Sequence, residues 1–159
     1  LLLWGSVGSG KSYMAACVAN ELIKQGADVK MTNFATVLND LFNCEDKNEY
    51  IRSLCRYSLL ILDDLGIERN TEYSLENLFN VIDARYVSGK AMIITTNLNL
   101  EELKNQKQLS LKRIYDRVLE RCIPVCVSEN DFRKDNRVEA KVKFGKIING
   151  GKMDEEKYE

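Results

Sequence analysis

Near the start of the chain, Gly5-Ser6-Val7-Gly8-Ser9-Gly10-Lys11-Ser12 places glycines, a lysine and a serine at the spacing G-x-x-x-x-G-K-[ST]. That spacing suits the cradling of a polyphosphate. Glycines let backbone N–H groups approach densely charged oxygens, and a helix opening at Lys11 adds its positive end. Lys11 would reach the β- and γ-phosphates of ATP and would face solvent without ligand, while the Ser12 hydroxyl would ligate Mg²⁺. A plain glycine turn is the alternative. Asp63 and Asp64 end the apolar run Leu59-Leu60-Ile61-Leu62. At such a strand end Asp63 can hold Mg²⁺ opposite Ser12, directly or through water, and Asp64 would orient or activate an attacking water. Asn97 closes Ile94-Thr95-Thr96. It can bond the γ-phosphate or the water, or it is an ordinary turn asparagine, and both readings stay open. Arg113, Arg117 and Arg121 recur every four residues, which for any one alone reads as a solvated basic face, with Asp116 and Glu120 beside them for local pairing.

The elements that must position these groups alternate between strand and helix. Strands are expected at Leu1–Trp4, Val29–Thr32, Leu59–Leu62, Ala91–Thr95 and Ile123–Val127. The unbroken run at Leu59–Leu62 fits a parallel strand covered on both faces. Helical spacing appears over residues 11–25, stopped by Gly26, and over Phe34–Phe42, where Asn33 is placed to cap. Asn43–Asn48 reads as loop, Tyr50–Cys55 as a helix, and Leu75–Tyr86 as a long helical stripe. Asn99 with Glu102 has capping-box spacing, and Ser110 is placed to cap a helix carrying Leu111, Ile114, Val118 and Leu119. The alternation argues an α/β fold with a parallel sheet and helices on both faces. Residues 134–148 fit an edge strand or a helix, with helix preferred, and 149–159 read as a disordered charged tail.

Whole-chain properties narrow the classes. The 159 residues suit one domain, and the net charge of −1 means that any nucleic-acid contact must come from a local patch. The chain has no histidine, which excludes His-based acid–base chemistry and removes a common metal ligand. Five cysteines without a C-x-x-C pair read as buried free thiols in a reducing cytoplasm. No apolar run is long enough to span a membrane. A first strand beginning at residue 1 without an initiator Met leads us to expect an excerpt with an N-terminal part missing.

Gly5–Ser12, Leu59–Gly66, Ile94-Thr95-Thr96-Asn97 and Arg113-Ile-Tyr-Asp-Arg117-Val together resemble the AAA+ ATPases. More narrowly they are similar to the DnaC/DnaI-type helicase loaders and the related IstB transposition ATPases. The resemblance runs from residue 1 to about Arg133, so residues 1–133 would be the AAA+ core. It implies a three-layer P-loop NTPase with strand order 5-1-4-3-2 and no full lid domain. It also implies that Asn97 is sensor 1, that Arg117 is the arginine finger reaching a neighbour's ATP, with Arg113 and Arg121 as weaker candidates, and that Arg133 of Asn130-Asp131-Phe132-Arg133 is sensor 2. Residues 34–57 match the helical insertion of initiators and loaders. Many AAA+ proteins have Asp-Glu where this chain has Asp63-Asp64, and the shorter acid predicts slow hydrolysis. The implied work is loading a hexameric replicative helicase onto single-stranded DNA, as a homo-oligomer formed on ATP or DNA, with weak, salt-sensitive DNA contacts from the basic residues of 104–113. A transposition ATPase assisting a transposase is the first alternative. A small-molecule P-loop kinase is the alternative from another class, disfavoured because no second-substrate pocket is visible in the sequence.

Overall fold

The computed structural model describes residues 1–66 and 71–127. Five strands, β1 (Leu2–Trp4), β2 (Val29–Asn33), β3 (Leu59–Leu65), β4 (Ala91–Thr96) and β5 (Pro124–Cys126), form one sheet in the order β2-β3-β4-β1-β5. Every pairing is parallel. This is the order the resemblance implied. Among the described residues six helices accompany the strands: α1 (Lys11–Lys24), α2 (Phe34–Asn43), α3 (Lys47–Leu54), α4 (Glu72–Val87), α5 (Leu100–Lys104) and α6 (Leu109–Arg121).

Alternation along the strands sorts the core into two layers. Leu2, Leu60, Leu62, Met92 and Ile94 pack with residues of α2 to α6, whereas Leu3, Leu59, Ile61 and Ile93 pack with Ala15 and Ala19 of α1. Among the described residues, one side of the sheet is therefore covered by five helices and the other by α1. Local chemistry explains several helix ends. Asn33 accepts from the Thr36 N–H at 2.8 Å, Asp46 from Glu49 at 2.9 Å, and Asn99 with Glu102 completes a capping box. Gly26, at φ 83°, ends α1 in a left-handed turn whose N–H bonds Ile23 O at 2.9 Å.

Three expectations need correction. Asn43–Asn48 is not all loop, because the Asp46 cap starts α3 at Lys47. Ser110 does not cap α6. The helix opens one residue before it, with Gln108 at the cap position, because the Gln106 carboxamide takes the Lys107 and Gln108 N–H groups at 3.0 and 3.3 Å. The cysteines are free, but only Cys122 is buried, and Cys17 and Cys126 are exposed. Those two lie on α1 and the edge strand β5. The regions 134–148 and 149–159 lie outside the described residues.

Arg85, a charged residue within the span of the Leu75–Tyr86 stripe, is wholly buried. Its guanidinium donates to the carbonyls of Tyr57 at 2.9 Å, Ser58 at 3.2 Å and Ala91 at 2.5 Å, with longer bonds to Leu54 and Cys55. Burial pulls its pKa below the usual guanidinium value, yet the ring of carbonyls keeps the charge solvated. One side chain thus ties α4 to the entrances of β3 and β4.

Candidate nucleotide site

The sheet brings three sequence motifs to one edge. Register pairs Leu3 with Thr95 and Trp4 with Thr96 across β1 and β4, and Leu65 with Thr96 across β3 and β4. The Gly5–Ser12 loop, Asn97 and the Asp63-Asp64 pair therefore leave the carboxyl ends of adjacent strands. That is where ligands bind in open parallel sheets.

The loop is built around Lys11. Gly10 caps α1 at φ 93°, a left-handed conformation that favours glycine. A Cβ on Gly5 would lie 2.5 Å from the Val127 carbonyl oxygen, so the loop passes the residue after β5 too closely for any side chain. Lys11 does not face solvent, contrary to expectation. It is 5% exposed, and its Nζ donates to Gly5 O at 2.9 Å, Ser6 O at 2.7 Å and Ser9 Oγ at 3.5 Å. An ammonium has three donors and the loop carbonyls supply acceptors, so the chain folds inward rather than extending into water. No side chain caps α1 and no acidic residue sits in its first turn, which leaves a helix start hospitable to an anion.

The acidic pair sits on a β-bulge. Between the partners Leu62↔Ile94 and Leu65↔Thr96, β3 advances three residues while β4 advances two. Asp64 takes φ 60°, and it is the described non-glycine residue with positive φ. Two threonines absorb the irregularity. Thr95 Oγ1 donates to Asp63 Oδ1 at 2.5 Å and accepts from the Asp64 N–H at 2.9 Å. Thr96 Oγ1 donates to Leu65 O at 2.8 Å and accepts from Leu98 N–H at 3.1 Å. Both threonines are fully buried. Asn97 follows β4 and is exposed. Sequence reasoning passed over Thr95, although a hydroxyl at the end of an apolar strand needs a partner and so carried a signal.

Mg²⁺ is usually held by one or two carboxylates together with substrate phosphates, rather than by a cage of protein ligands. The half-buried Asp63 and Ser12 fit that set, and among the described residues no group of three or more Cys, Asp or Glu side chains forms a cage.

The arginines of α6 lie elsewhere. Arg117 pairs with Asp83 of α4 at 3.2 Å and with Glu120 at 3.3 Å, and its guanidinium lies 4.6 Å over the Tyr86 ring. Arg113 stacks 4.6 Å over Phe79, and Arg121 donates to Gly89 O. A depression of about 210 Å³ on this seam is lined by Phe79, Arg113, Asp116, Arg117 and Glu120. Arg133 lies outside the described residues.

A five-stranded parallel sheet of this order, with a glycine loop leading into α1, defines an AAA+ P-loop domain. The family profile of IstB-like ATP binding proteins matches residues 1–140, and the chain belongs to that family. Among curated relatives, it is 35% identical over 118 residues to the uncharacterized protein YdaV of Escherichia coli K12, covering 72% of this chain and 46% of YdaV. It is 29% identical over 100 residues to a putative ATP-binding protein in an insertion sequence of Mycobacterium tuberculosis, covering 61% of this chain and 40% of that protein. It is 28% identical over 119 residues to the replicative helicase loader DnaC of Escherichia coli K12, covering 72% and 47% respectively. The chain thus spans about half the length of these relatives. A crystal structure of DnaI superposes with a TM-score of 0.68 at 23% identity, over 82% of this chain and 70% of that one, a likeness of fold.

Proposed function

We propose that this chain is the ATPase core of a DNA replication protein that loads a replicative helicase onto single-stranded DNA. The observation that carries the nucleotide reading is the meeting of the Lys11-centred loop with Asp63 and Asp64 at one sheet edge. Backbone N–H groups of Gly5–Ser12 would bind the phosphates of ATP, and Lys11 would exchange its loop carbonyls for phosphate oxygens. Ser12 and Asp63 would hold Mg²⁺, which when bound neutralises charge between the phosphates. Asp64 would orient or activate the attacking water, and Asn97 would bond that water or the γ-phosphate. Arg117 would act on the ATP of a neighbouring copy, so turnover would be slow in the lone subunit and faster in a homo-oligomer. The cytoplasm is the corresponding location; among the described residues no helix is long and apolar enough to cross a membrane.

Two observations bear on the biological task. Similarity to DnaC and the α2–α3 pair support helicase loading. The family profile and the insertion-sequence relative support a transposition helper that assists a transposase. Neither supports a small-molecule kinase. Co-purification with the hexameric helicase encoded in the same genome is the outcome expected of a loader. Co-purification with a transposase instead selects the second reading. For the site itself, Asp64→Asn should retain ATP binding and lose turnover, and parent-like turnover by this variant would remove the assignment.

A further inference from the structure

We infer that Thr95 is a positioning residue for the metal half of the nucleotide site, acting through Asp63 and the left-handed backbone of Asp64. The inference rests on the nucleotide reading above and adds a residue and a role to it. In a regular β3, residues 60, 62 and 64 would share one face and 61, 63 and 65 the other. The buried side chains depart from this, because Leu65 packs in the same core layer as Leu60 and Leu62. The extra residue in β3 changes the parity between Leu62 and Leu65, and Asp63 and Asp64 occupy the irregular step. Such a step leaves backbone groups without ladder partners, and a left-handed Asp64 needs something to hold it.

Thr95 meets both needs from the neighbouring strand. A hydroxyl has one donor, and Thr95 directs it at Asp63 Oδ1 over 2.5 Å. That bond fixes the rotation of the carboxylate and occupies one of its two oxygens. The hydroxyl oxygen accepts the Asp64 N–H at 2.9 Å, which fixes the backbone from which the second acid projects. Burial of Thr95 excludes water from both bonds, so water cannot replace the hydroxyl when it is removed. Thr96, its sequence neighbour, bonds only Leu65 O and Leu98 N–H among these partners, and serves as the structural comparison.

Loss of a hydrogen-bonding partner behind a ligating carboxylate typically weakens metal affinity by about 10–100-fold. The test compares the full chain with Thr95→Val, Thr95→Ser and Thr96→Val. ATP affinity is measured by calorimetry in EDTA and at graded Mg²⁺, together with melting temperature and turnover. Thr95→Val should bind ATP in EDTA like the parent, because the Lys11 loop is untouched. Its half-saturating Mg²⁺ should rise about tenfold or more, and Thr95→Ser should restore the parent value. Thr96→Val should lower the melting temperature without moving the Mg²⁺ curve. If Thr95→Val melts lower but titrates Mg²⁺ like the parent, Thr95 is structural only and the inference is overturned. If Thr95→Val does not fold, Thr95→Cys, nearly the same size with a weak S–H donor, is judged by the same shift. If the parent binds no ATP with or without Mg²⁺, the nucleotide reading falls and takes this inference with it, whereas ATP binding that ignores Mg²⁺ removes the inference alone. A parent that binds normally beside an unshifted Thr95→Val removes the inference alone.

Discussion

Arg117 is held within its own subunit, and the strength of that hold decides whether it can serve a neighbour. Its two ion pairs, to Asp83 and Glu120, are partly exposed. Exposed pairs contribute about 0.2–1 kcal/mol each, and an exposed cation–π contact such as that with Tyr86 about 0.5–1 kcal/mol. The local hold therefore totals roughly 1–3 kcal/mol. An arginine supplied to a phosphoryl transition state is worth about 10³–10⁵ in rate, or about 4–7 kcal/mol. The second figure exceeds the first, so Arg117 can leave the α4–α6 seam when a neighbour's nucleotide is in reach. Arg117→Ala should bind ATP like the parent and lose about 10³-fold or more in turnover. Asp83→Asn, which removes one pair worth about 0.2–1 kcal/mol, should raise the turnover of the assembled protein by about 1.4–5-fold. Mixing Arg117→Ala with Lys11→Ala should restore part of the activity, because each supplies what the other lacks across a shared interface. The assay is steady-state phosphate release against total protein concentration, with assembly followed by light scattering. The reasoning is refuted if the mixture stays inactive where the parent assembles and turns over. It is refuted equally if Asp83→Asn loses as much activity as Arg117→Ala, since Asp83 would then hold Arg117 in its working position.

Further outcomes follow from the same geometry. Arg85→Met removes three short charge-assisted bonds to buried carbonyls and should destabilise the protein by about 3–5 kcal/mol, lowering its melting temperature by roughly 10 °C. Arg85→Lys should recover less than half, because a compact ammonium cannot span carbonyls at the entrances of two strands, and a loss below about 1 kcal/mol in urea titrations of Arg85→Met would disprove the fastening role. Lys11→Ala should abolish most ATP affinity and also lower nucleotide-free stability by about 1–3 kcal/mol, since the Gly5 and Ser6 carbonyls lose their donor; unchanged melting would show that the loop does not depend on it. Lys104, Lys107, Lys112 and Arg113 are exposed around the start of α6, and four phosphate contacts predict a log–log salt slope near −3 for single-stranded DNA. Fluorescence anisotropy of Lys104→Gln/Lys107→Gln should halve that slope, and binding that ignores salt would contradict the patch.

The legible parts of this chain are those whose signal is local. The Gly5–Ser12 spacing, the helix over Phe34–Phe42, the Asn33 cap and the Asn99–Glu102 box each depend on residues within a few positions of one another, and each is observed, although Phe42 at the end of the expected apolar stripe is exposed. What stayed hidden depends on a partner far along the chain. Arg85 sits between Ile82 and Tyr86 like any charge on a helix, and its burial is set by carbonyls about 28 residues upstream. The hold on Arg117 needs Asp83 from another helix, so the four-residue repeat in α6 could show only a basic face. Ser110 is a local exception: it has the right residue type for a cap, but the Gln106 side chain four residues earlier takes the Lys107 and Gln108 amides and the helix starts at Leu109.

The bulge in β3 also bears on why the second acid is an aspartate. Without the extra residue, regular alternation would turn Asp64 toward the layer formed by Leu60, Leu62 and α4, and burying an unpaired carboxylate there would cost several kcal/mol. With it, Leu65 takes the core position and both carboxylates remain at the sheet edge, half-buried. The irregularity requires a left-handed residue at 64, at φ 60°. Aspartate is several-fold enriched in that region, since its short side chain bonds locally, whereas glutamate gains no such relief. The backbone thus favours the shorter acid, and under the role proposed for Asp64 the reach toward a water would be reduced. Thr95 and Thr96 make the arrangement self-consistent, because each buried hydroxyl bonds a backbone group of the bulged step. In this chain the slow chemistry expected of Asp64 and the stability of the strand that carries it have one origin, the three-against-two step between Leu62 and Leu65.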